Sequence, residues 1–237
     1  MSINVSIYTQ IGFILITLTA FVLFMRAAKK GKISEKQFRN SFFILLTWIT
    51  IQGILSYLTF FQQDLHIFPP RLAYVLTPNI IMTIFVFFSE KGKRFVDGLH
   101  IPSLVLLSLV RIPVEIILYK LYLNHAIPEL MTFSGRNFDI LAGLSAPIIY
   151  YLCYIRKVGT KKLLLGWNII SAGLLMFIIF NAVFSVPSPF RLFGDNQPNI
   201  GLLFFPFTWL AAFVAPIVLF SHFVIFRRLL IIKGDIY

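Results

Sequence analysis

Long apolar runs broken by short polar segments dominate the chain. Seven runs stand out: Val5–Met25, Ser41–Phe61, Leu72–Phe88, Ile101–Leu123, Phe138–Tyr154, Leu163–Val186 and Leu202–Phe226. Most reach the roughly 20 residues that a helix needs to cross about 30 Å of hydrocarbon. The third and fifth are the shortest. None alternates apolar and polar residues as a membrane β-barrel strand does. Backbone groups in lipid must bond within their own segment, so helices are the remaining solution. The pattern predicts one all-α domain over residues 1–237, a bundle of seven transmembrane helices.

Composition agrees. Of 237 residues, 58% are hydrophobic and only 13% are charged, against about 25% charged in ordinary soluble domains. That excludes a soluble enzyme and a disordered chain. The net charge of +12 would suggest a nucleic-acid partner if it were spread evenly, but it is not. Sixteen basic residues fall on one side of the predicted spans: Arg26, Lys29, Lys30, Lys32, Lys36, Arg39, Lys91, Lys93, Arg94, Arg156, Lys157, Lys161, Lys162, Arg227, Arg228 and Lys233. The other side carries Arg71, Lys120, Arg136 and Arg191. The acids divide evenly, with Glu35, Glu90, Asp97 and Asp235 against Asp64, Glu129, Asp139 and Asp195. Cytoplasmic loops are the basic ones. The N-terminus is therefore expected outside and the C-terminus in the cytoplasm, with basic loops resting on anionic lipid head groups and no nucleic acid involved. The first basic cluster follows the first apolar run, the reverse of a cleavable signal peptide, so that run is expected to stay. Cys153 is the only cysteine, which excludes an intrachain disulfide.

The fourth span carries the chemistry that stands out. Arg111 and Glu115 are four residues apart and share a helical face. Arg111 lies ten residues into its span, about 15 Å deep, where a charge costs at least about 2.5–3.5 kcal/mol. The spacing predicts that Glu115 pairs with Arg111. The carbonyl of Leu109, freed by Pro113, is a second acceptor within reach. Either the pair locks helices together, or it forms a ligand or ion site. Gln52, Asn79, Asn181 and Trp209 fall at similar depth. Pro78, Pro113, Pro147 and Pro206 are expected to loosen four helices there. The expected site is a cavity open to the outside, lined by Arg111, Glu115, Asn79, Gln52, Asn181 and Trp209. Arg136, in the stretch opening the fifth span, could hold an anion at the mouth. In that stretch Ser134 or Asn137 is a candidate N-cap, and Asp139 suits the positive helix end.

Other chemistries fit poorly. No lysine in the last span could carry a retinal Schiff base. Ser145 and His222 fall about 10 Å and 30 Å below the outer face by helix rise, too far apart for a catalytic pair. A bis-histidine haem would need His100 and His222 to face each other, whereas single histidines serve solvation or packing at span ends. His66 and His125 belong to outer loops. No zinc-ligand spacing or phosphate loop occurs, and no cofactor or metal is expected.

Two stretches, Arg111-Ile112-Pro113-Val114-Glu115 and Gly135-Arg136-Asn137-Phe138-Asp139-Ile140-Leu141-Ala142-Gly143, resemble segments of a family of small, uncharacterised seven-pass bacterial integral membrane proteins. The last helix, from Phe205-Pro206-Phe207 to Ser221-His222, is similar to the same family. The resemblance covers about the C-terminal three fifths of the chain. It implies seven spans in a bacterial inner membrane, and no substrate, cofactor or catalytic residue.

Three function classes follow. Proline-broken helices around a midplane charge pair are what transporter sites are built from, so transport of a small anionic or zwitterionic molecule ranks first. A sensor that binds a ligand outside and signals through a membrane partner ranks second, because no output domain is visible. A membrane enzyme acting on a lipid or quinone ranks third, for want of a nucleophile with a base. Whether a second copy joins the chain stays open.

Overall fold

The computed structural model describes residues 3–65 and 68–231. His66, Lys233 and Asp235 lie outside them. Helices form because almost every turn is built from residues whose backbone groups must bond locally in lipid, and caps mark where they start. Ser6 caps α1, Ile7–Lys29. Ser34 and Gln37 form a reciprocal capping box on α2, Glu35–Tyr57. Ser89 caps a short helix, α4, Glu90–Gly98, which follows α3, Ala73–Phe88. Next come α5, Ile101–Leu123, α6, Ile140–Ile155, α7, Lys161–Val183, and α8, Leu210–Leu230. Thr160 caps α7. No strand occurs among the described residues.

Five helices (α1, α2, α5, α7 and α8) are long and apolar enough to cross a membrane. A sixth is reached if α3 and α4 count together, although they meet at 89°. The segment of Lys91, Lys93 and Arg94 is therefore a helix rather than a loop. It turns away from α3 because Ser89 is extended and Gly92 lies on the backbone of Val86, where no Cβ would fit. Several boundaries differ from those the hydropathy pattern predicts. The second span starts at Glu35, and Phe60–Gln62 forms a separate 3-10 turn. Gly201–Leu203 is another such turn, and the last helix begins well after Leu202. Pro206 thus precedes that helix instead of bending it.

Two faces can be defined by the chain. The amino-terminal face holds the start of α1 and the ends of α2, α5 and α7. At the opposite, carboxy-terminal face, Lys32 N–H donates to Gly98 O at 2.6 Å and His100 N–H to Ala27 O at 3.1 Å. There Asp97 also receives two bonds from Arg227, at 2.7 and 2.9 Å, tying α4 to the end of α8. Helix α5 is central, packed on α1, α6 and α8, while α7 packs along α8.

The segment between α5 and α6 explains why α6 is short. Met131, Thr132, Asn137 and Asp139 are all buried. Asn137 bonds Glu115, which lies eight residues, about 12 Å, before the end of α5. The connection therefore folds down inside the bundle, and α6 starts near the depth of Glu115. Irregular backbone at that depth is tolerated where protein buries it.

Candidate functional site

Arg111 is nearly inaccessible, at 3% exposure, and every partner it has comes from another helix. Its Nη1 donates to the carbonyl of Ser171 on α7 at 3.1 Å and lies 3.2 Å from Asp139 Oδ1 at the start of α6. Its Nη2 is 2.7 Å from His222 Nε2 on α8. A guanidinium has donors only, so His222 Nε2 accepts and the imidazole is neutral. Its proton sits on Nδ1, which donates to Asn168 Oδ1 at 2.6 Å. Asn168 in turn donates to the carbonyl of His222 at 3.1 Å. One cation thus joins α5, α6, α7 and α8.

The expected Arg111–Glu115 pair is corrected by this geometry. Glu115 Oε1 instead accepts from Asn137 Nδ2 at 2.6 Å, and Asn137 also donates to Met131 O at 3.0 Å. A shared helical face was the wrong guide, because the basic residue comes first, the poorer order for such a pair, while α6 brings Asp139 within 3.2 Å. Nor does Arg111 turn to the freed carbonyl of Leu109. Asp139, expected only to suit a helix dipole, is the ion partner. Asn137 accepts from Asp139 N–H at 2.9 Å, so it shapes the start of α6 without being its N-cap. Ser134 bonds Thr132 instead.

The depth estimate for the last span also fails. Because that helix begins later, His222 lies about eight residues, or 12 Å, from its end at Leu230, level with Arg111. Ser145 is deeper than expected for the matching reason. The two flank one side chain: Trp167 Nε1 donates to Ser145 Oγ at 2.9 Å, and its ring lies 5.9 Å from the His222 ring. His100 is bonded to Ser103 at the start of α5 and does not face His222.

A cavity of about 480 Å³ adjoins this cluster, between α3, α5, α7 and α8. Arg111, Glu115, Asp139 and Asn79 line it, among many aliphatic side chains. Buried Leu72, Met131 and Leu202 close it toward the amino-terminal face. These three side chains come from the connecting segments at the end where a mouth is expected. Arg111 Nε and Glu115 Oε2 have no hydrogen-bond partner, and Asp139 Oδ1 meets Arg111 Nη1 only as an ion pair. Gln52, Asn181, Trp209 and Arg136 do not line it. Gln52 and Asn181 are buried elsewhere, each with one polar atom unbonded. Trp209 donates to Ile49 O at 2.9 Å and packs against Gly53, where a Cβ would meet the indole at 2.9 Å. Arg136 is exposed, its guanidinium 5.4 Å from the Phe193 ring.

Proline chemistry acts at one position that sequence reading missed. Pro216 cannot bond Ala212 O, and the freed carbonyl takes two donors: Trp48 Nε1 at 2.8 Å and Asn79 Nδ2 at 3.0 Å. The surrounding Leu210–Val214 segment is a π-helix on the cavity wall, a distortion frequent at functional sites. Asn168, Ser171 and Trp167 were also missed as partners. Their spacing along one face of α7 was the available signal. Among the described residues, no cluster of metal-ligating side chains occurs. Comparison with protein-family models, characterised proteins and solved structures found no match to this chain.

Proposed function

We propose that the chain is a seven-span protein of the bacterial inner membrane, N-terminus outside and C-terminus in the cytoplasm, that transports a small zwitterionic molecule. The seven spans are the five long helices together with α3 and α6. Helix α6 is short because its start is sunk beside Glu115. Helix α3 is short because the chain turns along the surface as α4.

One observation carries the reading. A buried arginine and two buried carboxylates line a cavity of about 480 Å³, within the range of small-molecule sites, and one polar atom each of Arg111 and Glu115 is left without a partner. Charges at this depth are costly and mark function by default. A ligand bearing both signs suits one cation beside two carboxylates better than a simple anion does. Transport is favoured over sensing because each face of the bundle is held by breakable contacts: the folded loop at one, and the Asp97–Arg227 pair between α4 and α8 at the other.

Native mass spectrometry of protein extracted from its own membrane into a maltoside detergent tests this. A discrete bound compound on the wild type, absent from a folded Arg111→Met/Asp139→Leu variant, is the expected result. Identical spectra from the two proteins overturn it.

A further inference from the structure

The walls of the cavity say where its ligand comes from. Ile80 and Ile84 on α3 and Met176 on α7 all line it, yet they are 58%, 53% and 50% exposed. Side chains that face both a cavity and the surroundings of a membrane helix mark a gap between helices. The opening is thus sideways, between α3 and its neighbours α7 and α8, while Leu72, Met131 and Leu202 seal the nearest water-facing end. From Phe223 a second apolar hollow of about 380 Å³ continues along α3 and α8 to Arg227, at the carboxy-terminal face. Surrounded by hydrocarbon, such a slot is filled by chains, not by water.

We propose that the ligand is a single-chain zwitterionic amphiphile drawn sideways from the bilayer. Its chain lies between α3 and α8, and its head reaches Arg111, Asp139 and Glu115. The proposal rests on the ligand-binding reading above and adds the ligand's class and its route. Size favours one chain. At about 30 Å³ for each water-sized group, the inner cavity and the second hollow together take on the order of thirty such groups, room for a head and one chain but too few for a two-chain lipid. Polarity favours a long apolar body, because apart from Asn79, Thr83 and the three charged residues the lining is hydrocarbon. Arg111 Nε and Glu115 Oε2 are unpartnered but closed off behind the cavity wall, so they give the head one donor and one acceptor once these side chains turn toward it.

The probe is a lysophosphocholine with a diazirine in its chain, incorporated with the full chain into proteoliposomes, irradiated and mapped by peptide mass spectrometry. Val114 and Leu118 of α5 line the cavity and are buried, so lipid surrounding the protein cannot touch them. Labelling of these two residues is the expected result. Ile84→Trp/Met176→Trp, which fills the gap without touching the charged cluster, should lower that labelling at least tenfold. Ile44→Trp, an equally exposed position on α2, should leave it unchanged. Label confined to lipid-facing residues overturns the proposal. So does unchanged labelling of Val114 and Leu118 in the double variant. If a water-soluble compound then remains bound in native mass spectrometry, only the lateral route falls; if none is bound, the ligand-binding reading falls too.

Discussion

At the scale of single residues, Arg111 is solvated by protein groups instead of water. Four helices each supply or hold one side of it, and that makes its partners unequal. Asp139→Asn removes the countercharge and leaves the guanidinium buried, a change that costs about 3–5 kcal/mol. Glu115→Gln keeps an amide oxygen for Asn137 Nδ2 and should cost about 1 kcal/mol, the worth of one neutral hydrogen bond. Thermal unfolding in detergent should therefore show Asp139→Asn far less stable than Glu115→Gln. Arg111→Met with Asp139→Leu should recover most of the loss, because apolar replacement of a buried pair is often neutral. Equal melting temperatures for the two single variants would show that Asp139 does not balance the charge.

At the scale of elements, glycines decide how closely helices meet. Gly143 on α6 faces α5 so tightly that a Cβ would lie 2.9 Å from Ile112 Cγ1 and 3.2 Å from Ile112 N. This crossing sets the depth at which α6 starts, and hence brings Asp139 to Arg111. Gly173 on α7 has nothing within 4 Å of the same point. Gly143→Ala should destabilise the protein by at least 1 kcal/mol through overpacking, which typically costs about 1–3 kcal/mol. Gly173→Ala should be neutral or stabilise by up to about 1 kcal/mol through helix propensity. Melting temperatures of the two variants in one detergent check the contrast. A glycine pattern in the sequence cannot separate these cases, since both sit inside helices and differ only in what lies opposite.

At the scale of the whole molecule, charge and closure belong together. The basic residues that set the expected orientation include Arg227 and Arg228, and these also bind Asp97 of α4. The same end of the molecule thus carries most of the positive charge and an ion pair that ties two helices together. A reporter active only in the cytoplasm, fused to the C-terminus, should be fully active if the side with sixteen basic residues against four is the inner one, as the positive-inside rule expects. A well-expressed but inactive fusion would reverse the orientation.

The sequence by itself determined the all-helical architecture and the approximate positions of the long apolar helices, five of which are long and apolar enough to cross a membrane, because burial in lipid imposes a length and a composition on each segment separately. It also singled out Arg111, since a lone charge at that depth is visible in one dimension. Glu115 and Asn79 were found for the same reason, and they do line the cavity beside Arg111. The tertiary structure alone decided the partners. Asp139, Ser171, His222 and Asn168 are far from Arg111 in sequence, and their level depends on where each helix begins. Hydropathy misses those starts by several residues when an apolar segment such as Leu202–Phe207 folds as turns. It also cannot see a loop that dips into the bundle, as residues 124–139 do. Depth counted from an apolar boundary therefore placed His222 and Ser145 on different levels, while packing brought both against Trp167. Where the cavity opens was decided in the same way: it depends on the gap that α3 leaves beside α7 and α8, and a gap between helices is a relation no single segment encodes.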